Sequence, residues 1–492
     1  MRIPRQELLH LPRADRTDRL RHADHDAPHS PWPHHPTTPP LLQTLCFLLD
    51  PIGFLAKNKK KYGDVFRIKL LGLPEEAIIT SSHLAAEAFS HDEESGMAGE
   101  VRRQFLEPSL GKNSLLTADG EIWKQHRKVI NPTLHGRCVQ GYREAIHEIA
   151  ATEISKWSYG KSFALRESVE GVTLRVIIRV VFGISDEKRS AELAILLPEY
   201  IRKSGSPLLI FMPPRIRDSL FRSRIARRVP FLPTTRMDKV RRRVDAILYD
   251  EIKGRKARTS TSGTDVLSRL IDPQGKAGRP LSDPEIRDEL VALLTAGHET
   301  TATALAWAFE RLMRTPSVLS RLENALQHEA DDRYLEAVVK EALRSRPVVW
   351  DAPRRLRHAV SIGDYTVPAG WAITPVIALI HQDSRYFAKP EVFEPERFMG
   401  DVPAETRQAW LPFGGGRRYC AGAQLALLEM KVIMREVLMN VTLTAADDSA
   451  ESARMQHVTL VPRRGARAVA RRRSPLHHPA EGGCKGVWCR FG

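Results

Sequence analysis

The longest patterned stretch of the chain opens at Ser282 and stops before Pro316. Ser282 and Glu285 have the spacing of a capping box, and Pro284 is tolerated in a first helical turn. The pattern predicts one helix from 282 to about 315, about 50 Å long at a rise of about 1.5 Å per residue. From Leu290 to Phe309 this segment is apolar nearly all round, which places it in the interior. Gly297, His298, Glu299, Thr300 and Thr301 interrupt the run. Polar side chains in a buried helix are costly unless paired or functional, so this cluster is the first candidate for chemistry.

Other elements are shorter. A β signal lies between 64 and 80, carried by Val65, Phe66, Ile68, Ala77, Ile78 and Ile79, with Gly72 and Pro74 as turn residues. Helical patterning dominates from about 83 onward. A helix is predicted from about Tyr334 to Ser345, ending at Pro347. Ile362 to Val367 and Trp371 to Pro375 read as strands around a Pro368–Gly370 turn, and a last helix spans about Ala423 to Asn440. Residues 1–40 are rich in Pro, His, Arg and Asp without a period and read as a disordered leader. Residues 474–492 read as a disordered tail, leaving a single domain over 41–473. The class is mainly α, a helical bundle with a small β-rich subdomain near the N-terminus.

Composition narrows the partners. The 492 residues are 42% hydrophobic and 27% charged, which suits a globular protein. The five cysteines, at 46, 138, 420, 484 and 489, are too scattered for a disulfide framework, and a reducing, cytoplasmic setting is expected. The net charge of +16 is concentrated between Arg215 and Arg258, where 15 Lys or Arg face 5 Asp or Glu. That stretch reads as a solvated helix face or a weak membrane-surface contact. No nucleic-acid-binding motif accompanies the charge. The best early apolar run, Leu41 to Leu49, is interrupted by Gln43 and Thr44 and is far short of the roughly 20 residues of a spanning helix.

The segment Phe413-Gly-Gly-Gly-Arg-Arg-Tyr-Cys-Ala-Gly422 carries the sharpest signal. Three glycines let a backbone approach a flat ligand closely. Cys420 stands just before a helix N-terminus, where backbone N–H groups and the helix dipole favour a thiolate. A thiolate of this kind can ligate haem iron and favour O–O cleavage. Arg418 is placed to pair with a propionate and Phe413 to shield the sulfur.

This loop resembles the cysteine signature of the cytochrome P-450 family, Phe-x-x-Gly-x-Arg-x-Cys-x-Gly, at Phe413, Gly416, Arg418, Cys420 and Gly422. Three more segments agree, in the family's order. Ala296-Gly-His-Glu-Thr-Thr301 is similar to the oxygen-activating stretch of the family's long helix. Glu341-Ala-Leu-Arg344, followed by Pro395-Glu-Arg-Phe398, is similar to its Glu-x-x-Arg motif and the segment that motif grips. Trp123-Lys-Gln-His-Arg127 resembles its propionate-holding helix. The resemblance covers roughly residues 41–473.

The resemblance implies haem b (iron protoporphyrin IX) between the central helix and the helix after Cys420, with Cys420 as metal ligand. Trp123, Arg127, Ala296, Gly297, Arg354, Phe413, Arg418 and Gly422 would contact the cofactor. Thr300 and Glu299 would be catalytic, relaying protons while bulk water is kept out; the plainer reading is a Thr back-bonded to its own helix and a Glu reaching solvent. Gly297 would leave room for oxygen. Glu341, Arg344 and Arg397 would lock the cysteine loop. The implied reaction is insertion of one atom of O2 into a C–H bond of a small apolar substrate by a monomer. A separate ferredoxin or flavoprotein would supply electrons, docking near Lys124, Lys128, Arg417 and Lys431. A haem-thiolate isomerase or dehydratase, and a non-catalytic haem protein, are the alternatives; neither needs the Glu299–Thr300 pair.

Overall fold

The computed structural model describes residues 31–183, 187–204, 233–257, 265–272, 280–328, 331–456 and 458–473. The central helix runs Asp283–Arg314 behind Ser282 as N-cap. The Glu285 carboxylate accepts the Ser282 N–H at 2.9 Å and its hydroxyl at 2.7 Å, completing the capping box. Helix Leu165–Phe182 lies along this helix, and helices Pro233–Ala257, Arg333–Ser345 and Ala423–Asn440 also pack on it. Their apolar faces form the main core.

Gly297 sits where the two long helices approach. A Cβ there would stand 2.6 Å from Ile177 Cδ1 and 2.8 Å from Cγ1, so Ile177 occupies the space a side chain would need. Some polar groups inside the core are paired. His126 Nδ1 and Glu289 Oε1 meet at 2.6 Å with both side chains fully buried, tying helix Gly120–Ile130 to the central helix. His298 Nδ1–H donates to the Leu294 carbonyl at 2.7 Å, a packing role.

The strands are β1 (Val65–Lys69), β2 (Glu75–Ile79), β3 (Gly96–Met97), β4 (Ser162–Ala164), β5 (Arg354–Leu356), β6 (Val360–Ile362), β7 (Tyr365–Val367), β8 (Ala372–Pro375), β9 (Val441–Ala445), β10 (Ala453–Gln456), β11 (Thr459–Pro462) and β12 (Arg467–Arg472). The largest sheet has the order β1-β2-β8-β5-β3. Only β2 and β8 pair in parallel there. The β-rich part thus joins residues 65–97 to residues 354–375 and is not built from the N-terminal region alone. The stretch 362–367, predicted as one strand, belongs to the hairpin of β6 and β7, which turns at Gly363 with φ 55°. Strands β9 to β12 carried no recognised signal. Trp307 of the central helix donates its indole N–H to the Leu460 carbonyl at 2.9 Å, which pins β11 to the helix.

The folded part also begins earlier than the leader reading placed it. The His34 carbonyl accepts the Arg67 N–H at 2.8 Å, and Trp32 meets Trp371 edge-on at 5.6 Å. The rest of the leader (1–30), the tail 474–492 and residues 205–232 of the basic stretch lie outside the described residues. In the described part of that stretch, Arg241 and Arg242 both pair with Asp238, and Arg243 reaches Glu192 at 3.0 Å.

The Gly297–Ile177 contact makes a specific expectation. Gly297→Ala should cost about 1–3 kcal/mol by overpacking. Combined with Ile177→Ala, the total should be less than the sum of the single effects, measured as a double-mutant cycle in urea unfolding. Strict additivity would mean that the helices part without strain.

Candidate active site

Gly414 and Gly416 take φ values of 72° and 64°, a region closed to most side chains. Side chains at Gly415 and Gly416 would also collide with Phe89 and, at Gly416, with Asp92. The glycines therefore let the loop lie tight against the segment that carries Phe89. The loop closes on itself where the Cys420 N–H donates to the Phe413 carbonyl at 3.0 Å. An aromatic ladder braces it, with Phe398, Trp410, Phe413 and Tyr419 in successive contacts of 6.1, 6.0 and 6.2 Å between ring centres.

The Cys420 side chain is accessible, yet protein surrounds it, so it borders an interior space. Burial pushes its thiol up; the backbone N–H groups of Gly422 and Ala423 and the charges of Arg127 and Arg102 act in the opposite direction. Those two arginines are unusual. Burial holds both guanidinium groups below their ordinary value, with repulsion from Arg354 adding to it at Arg102. Among the described residues neither guanidinium has a hydrogen-bond or ion-pair partner within 4 Å. Two desolvated, unmatched cations beside a thiol are a cradle for a ligand with two carboxylates.

The other predicted arginines are committed. Arg354 is 1% exposed and uses all five donors. Two go to Asp92, at 2.6 and 3.4 Å, two to the carbonyls of Ala352 and Pro353, and one to Gly415 at 3.3 Å. It clamps the glycine loop and has no donor left for a ligand. Arg418 binds the Ala118 carbonyl at 3.0 Å and the Asp119 carboxylate, with its guanidinium 4.3 Å over the Trp123 ring. Asp119 also accepts the N–H groups of Gly99 and Glu100, at 2.9 and 2.7 Å. It thereby joins helix Ala98–Leu110, which carries Arg102, to helix Gly120–Ile130, which carries Trp123 and Arg127.

Within the middle of the central helix, Leu293, Thr295, Ala296, Gly297 and Thr300 are partly accessible. Leu290, Leu294, His298 and Thr301 are buried. Four of these, Leu293, Ala296, Gly297 and Thr300, follow i, i+3, i+4, i+7 and so share one stripe, with Thr295 off it. This helix packs on helix Ala423–Asn440, which begins three residues after Cys420. Thr300 Oγ1 donates to the Ala296 carbonyl at 2.7 Å. Glu299 is buried rather than in solvent; its carboxylate accepts from Gln456 at 2.8 Å and lies 3.4 Å from Arg166. Thr300 thus faces the open stripe while Glu299 stands on the neighbouring, closed side.

Comparison with known proteins agrees with this geometry. The profile of the family described as Cytochrome P450 matches residues 33–467. The chain belongs to that family. It is 35% identical over 454 residues to "Putative cytochrome P450 135B1" of Mycobacterium tuberculosis, covering 91% of this chain and 93% of the relative. To "Putative cytochrome P450 135A1" of the same species it is 34% identical, covering 90% and 96%. The solved structure of "Retinoic acid bound cyanobacterial CYP120A1" superposes with a TM-score of 0.77 at 24% identity, covering 90% of this chain and all of that one. Membership of the cytochrome P450 family implies a haem cofactor and oxidoreductase chemistry of the monooxygenase kind. The accessible thiol, the unmatched arginines and the close-packed glycine loop fit such a group.

The loop of this P450 hangs on one buried ion pair. Arg344 binds Glu341 in two bonds, at 2.7 and 2.8 Å, with both side chains fully buried. Arg397 comes within 3.1 Å of the same carboxylate, and the Glu394 N–H donates to it at 3.0 Å. His381, unremarked in the sequence, connects the pair to the loop. Its Nδ1 meets the Arg344 carbonyl at 3.2 Å, and its Nε2 accepts the Leu411 N–H at 2.9 Å. Burial and the charge of Arg344 push its value down to about 3, which keeps the ring neutral and able to accept.

Glu341→Ala or Arg344→Ala leaves a buried charge unmatched and should cost about 3–5 kcal/mol. Poor haem incorporation and insoluble protein are the expected readouts. A soluble, haem-loaded variant with the parent's melting temperature would reduce the pair to an ordinary contact.

Proposed function

We propose that this cytochrome P450 inserts one oxygen atom from O2 into a C–H bond of an apolar organic substrate, using electrons from a separate ferredoxin or flavoprotein. The observation that supports the proposal is Thr300, a partly accessible hydroxyl in the middle of a largely buried helix that packs on the helix following Cys420. Haem b, when bound, supplies the activation of O2 and the entry point for electrons.

The residues of the chain do the rest. Cys420 ligates the iron, and the N–H groups of Gly422 and Ala423 hold the charge on its sulfur. Arg102 and Arg127 take the two propionates, a role that Arg354, with its donors filled, leaves to Arg102. Trp123 and Arg418, stacked on each other, wall the same side. Thr300 presents lone pairs to the open space while its hydrogen rests on Ala296; rotation of the hydroxyl moves a proton toward the stripe. Glu299, held by Gln456 and Arg166, is the acid standing behind it. Leu293, Ala296 and Gly297 line the stripe without charge, which favours an apolar substrate. Arg417 pairs with Glu93 and Lys124 with Glu121, both at the surface. An acidic electron donor can displace such weak contacts on the cysteine side.

Two experiments test this reading. Reduced protein with carbon monoxide should give the absorption band for which the family is named, and Cys420→Ser should abolish it; a variant that keeps the band has its ligand elsewhere. Thr300→Ala should retain haem and substrate binding but release more hydrogen peroxide and less product per electron pair. Unchanged coupling would remove Thr300 from the mechanism, whereas product formed without electrons or O2 would favour an isomerase or dehydratase.

A further inference from the structure

Helix α1 (Pro40–Leu49) is built inside out. Gln43 is its only buried residue. At 100° per residue, Leu41, Leu42, Leu45, Leu48 and Leu49 fall within an arc of about 120°. All five are open, from 46% exposed at Leu42 to 86% at Leu49. The opposite side fastens the helix to the domain. Gln43 accepts the Lys69 N–H at 3.1 Å and donates to the Thr38 carbonyl at 2.8 Å. Phe47 packs 6.0 Å from Trp350 and 6.3 Å from Phe54. Thr44 accepts the Leu71 N–H at 2.8 Å, which sets another exposed leucine at the edge of the stripe. The orientation of the helix is therefore fixed, and its leucines point outward because polar anchors hold the other face.

Helix α2 (Pro51–Tyr62) follows after Asp50 and packs beside α1. Its Lys57, Lys60 and Lys61 are exposed, and among the described residues none has a carboxylate partner. An apolar stripe beside unmatched lysines is the composition of a helix that lies in a membrane interface. Ten residues are too few to span, and no helix among the described residues is long and apolar enough to cross a membrane. A second copy of the chain suits the surface less well, since a two-fold contact through the stripe would bring the lysines of both copies toward one another.

We infer that α1 seats in the headgroup region of a lipid bilayer, with Lys57, Lys60 and Lys61 against anionic lipid. The inference is independent of the catalytic reading. It moves the membrane contact away from the basic stretch 215–258, whose described arginines Arg241, Arg242 and Arg243 are already paired.

The test is co-sedimentation of the full haem-loaded chain with phosphatidylcholine vesicles, with and without phosphatidylglycerol. The parent should bind the anionic vesicles and release partly as salt is raised. Leu45→Glu and Leu48→Glu should each weaken binding about tenfold or more, as expected for losing one buried leucine. Lys57→Glu with Lys60→Glu should remove the preference for anionic lipid. Haem content of each variant reports folding, and slowed amide exchange of residues 40–49 in the parent on vesicles gives a readout free of substitutions. A parent that stays in the supernatant, leucine variants that bind as the parent does, or exchange unchanged by vesicles would each overturn the inference. So would a parent dimer that the leucine variants dissociate, since the stripe would then be covered by a second copy.

Discussion

A carboxylate and a guanidinium removed completely from water hold the cysteine loop in place. Each ion alone would be strongly destabilising where Glu341 and Arg344 lie, and only their two-bond geometry, with Arg397 and backbone partners around it, makes the site tenable. The consequence is positional. Arg344 reaches the carbonyls of His381 and Val392, Glu341 takes the Glu394 N–H, and His381 takes the Leu411 N–H two residues before Phe413. Segments distant in sequence are referred to one point, and the loop inherits its place from them.

Much of this arrangement was legible because it rests on local rules. The central helix announced itself by a capping box and a continuous apolar run, and its observed ends agree with those signals. The helix after Cys420 and the Glu-x-x-Arg helix were equally plain. Strands β9 to β12 were not, since short strands at the C-terminal end gain their stability from partners such as β4, far away in the chain. Gly363 was hidden for a similar reason: one glycine with positive φ turns what reads as a strand into half of a hairpin.

The site divides along the same line. Spacing singled out Cys420, the glycines and the Glu299–Thr300 pair as candidates, because each belongs to a short motif of near neighbours in sequence. It could not say which arginines are spent. Arg354 and Arg418 stood out by position, but Asp92 and Asp119, each more than 200 residues away, claim them. Arg102 carried no signal at all; it matters because among the described residues no hydrogen bond or ion pair neutralises it at close range. Gly297 was read as room for oxygen, whereas the space beside it is filled by Ile177. A glycine reports that a side chain is excluded, not what excludes it.

The unsatisfied groups around Cys420 share one remedy. Burial pushes the thiol up and the cations of Arg102 and Arg127 down, so the thiolate and both guanidinium charges are the forms that their surroundings disfavour. A ligand that brings a metal to the sulfur and two carboxylates to the guanidinium groups relieves all three together. Such a ligand binds the folded chain and not the unfolded one, so its binding energy adds to the stability of the fold. The strain that the protein accepts at this site is thereby coupled to cofactor retention. The fully paired Arg354, by contrast, supports the loop whether or not the cofactor is bound.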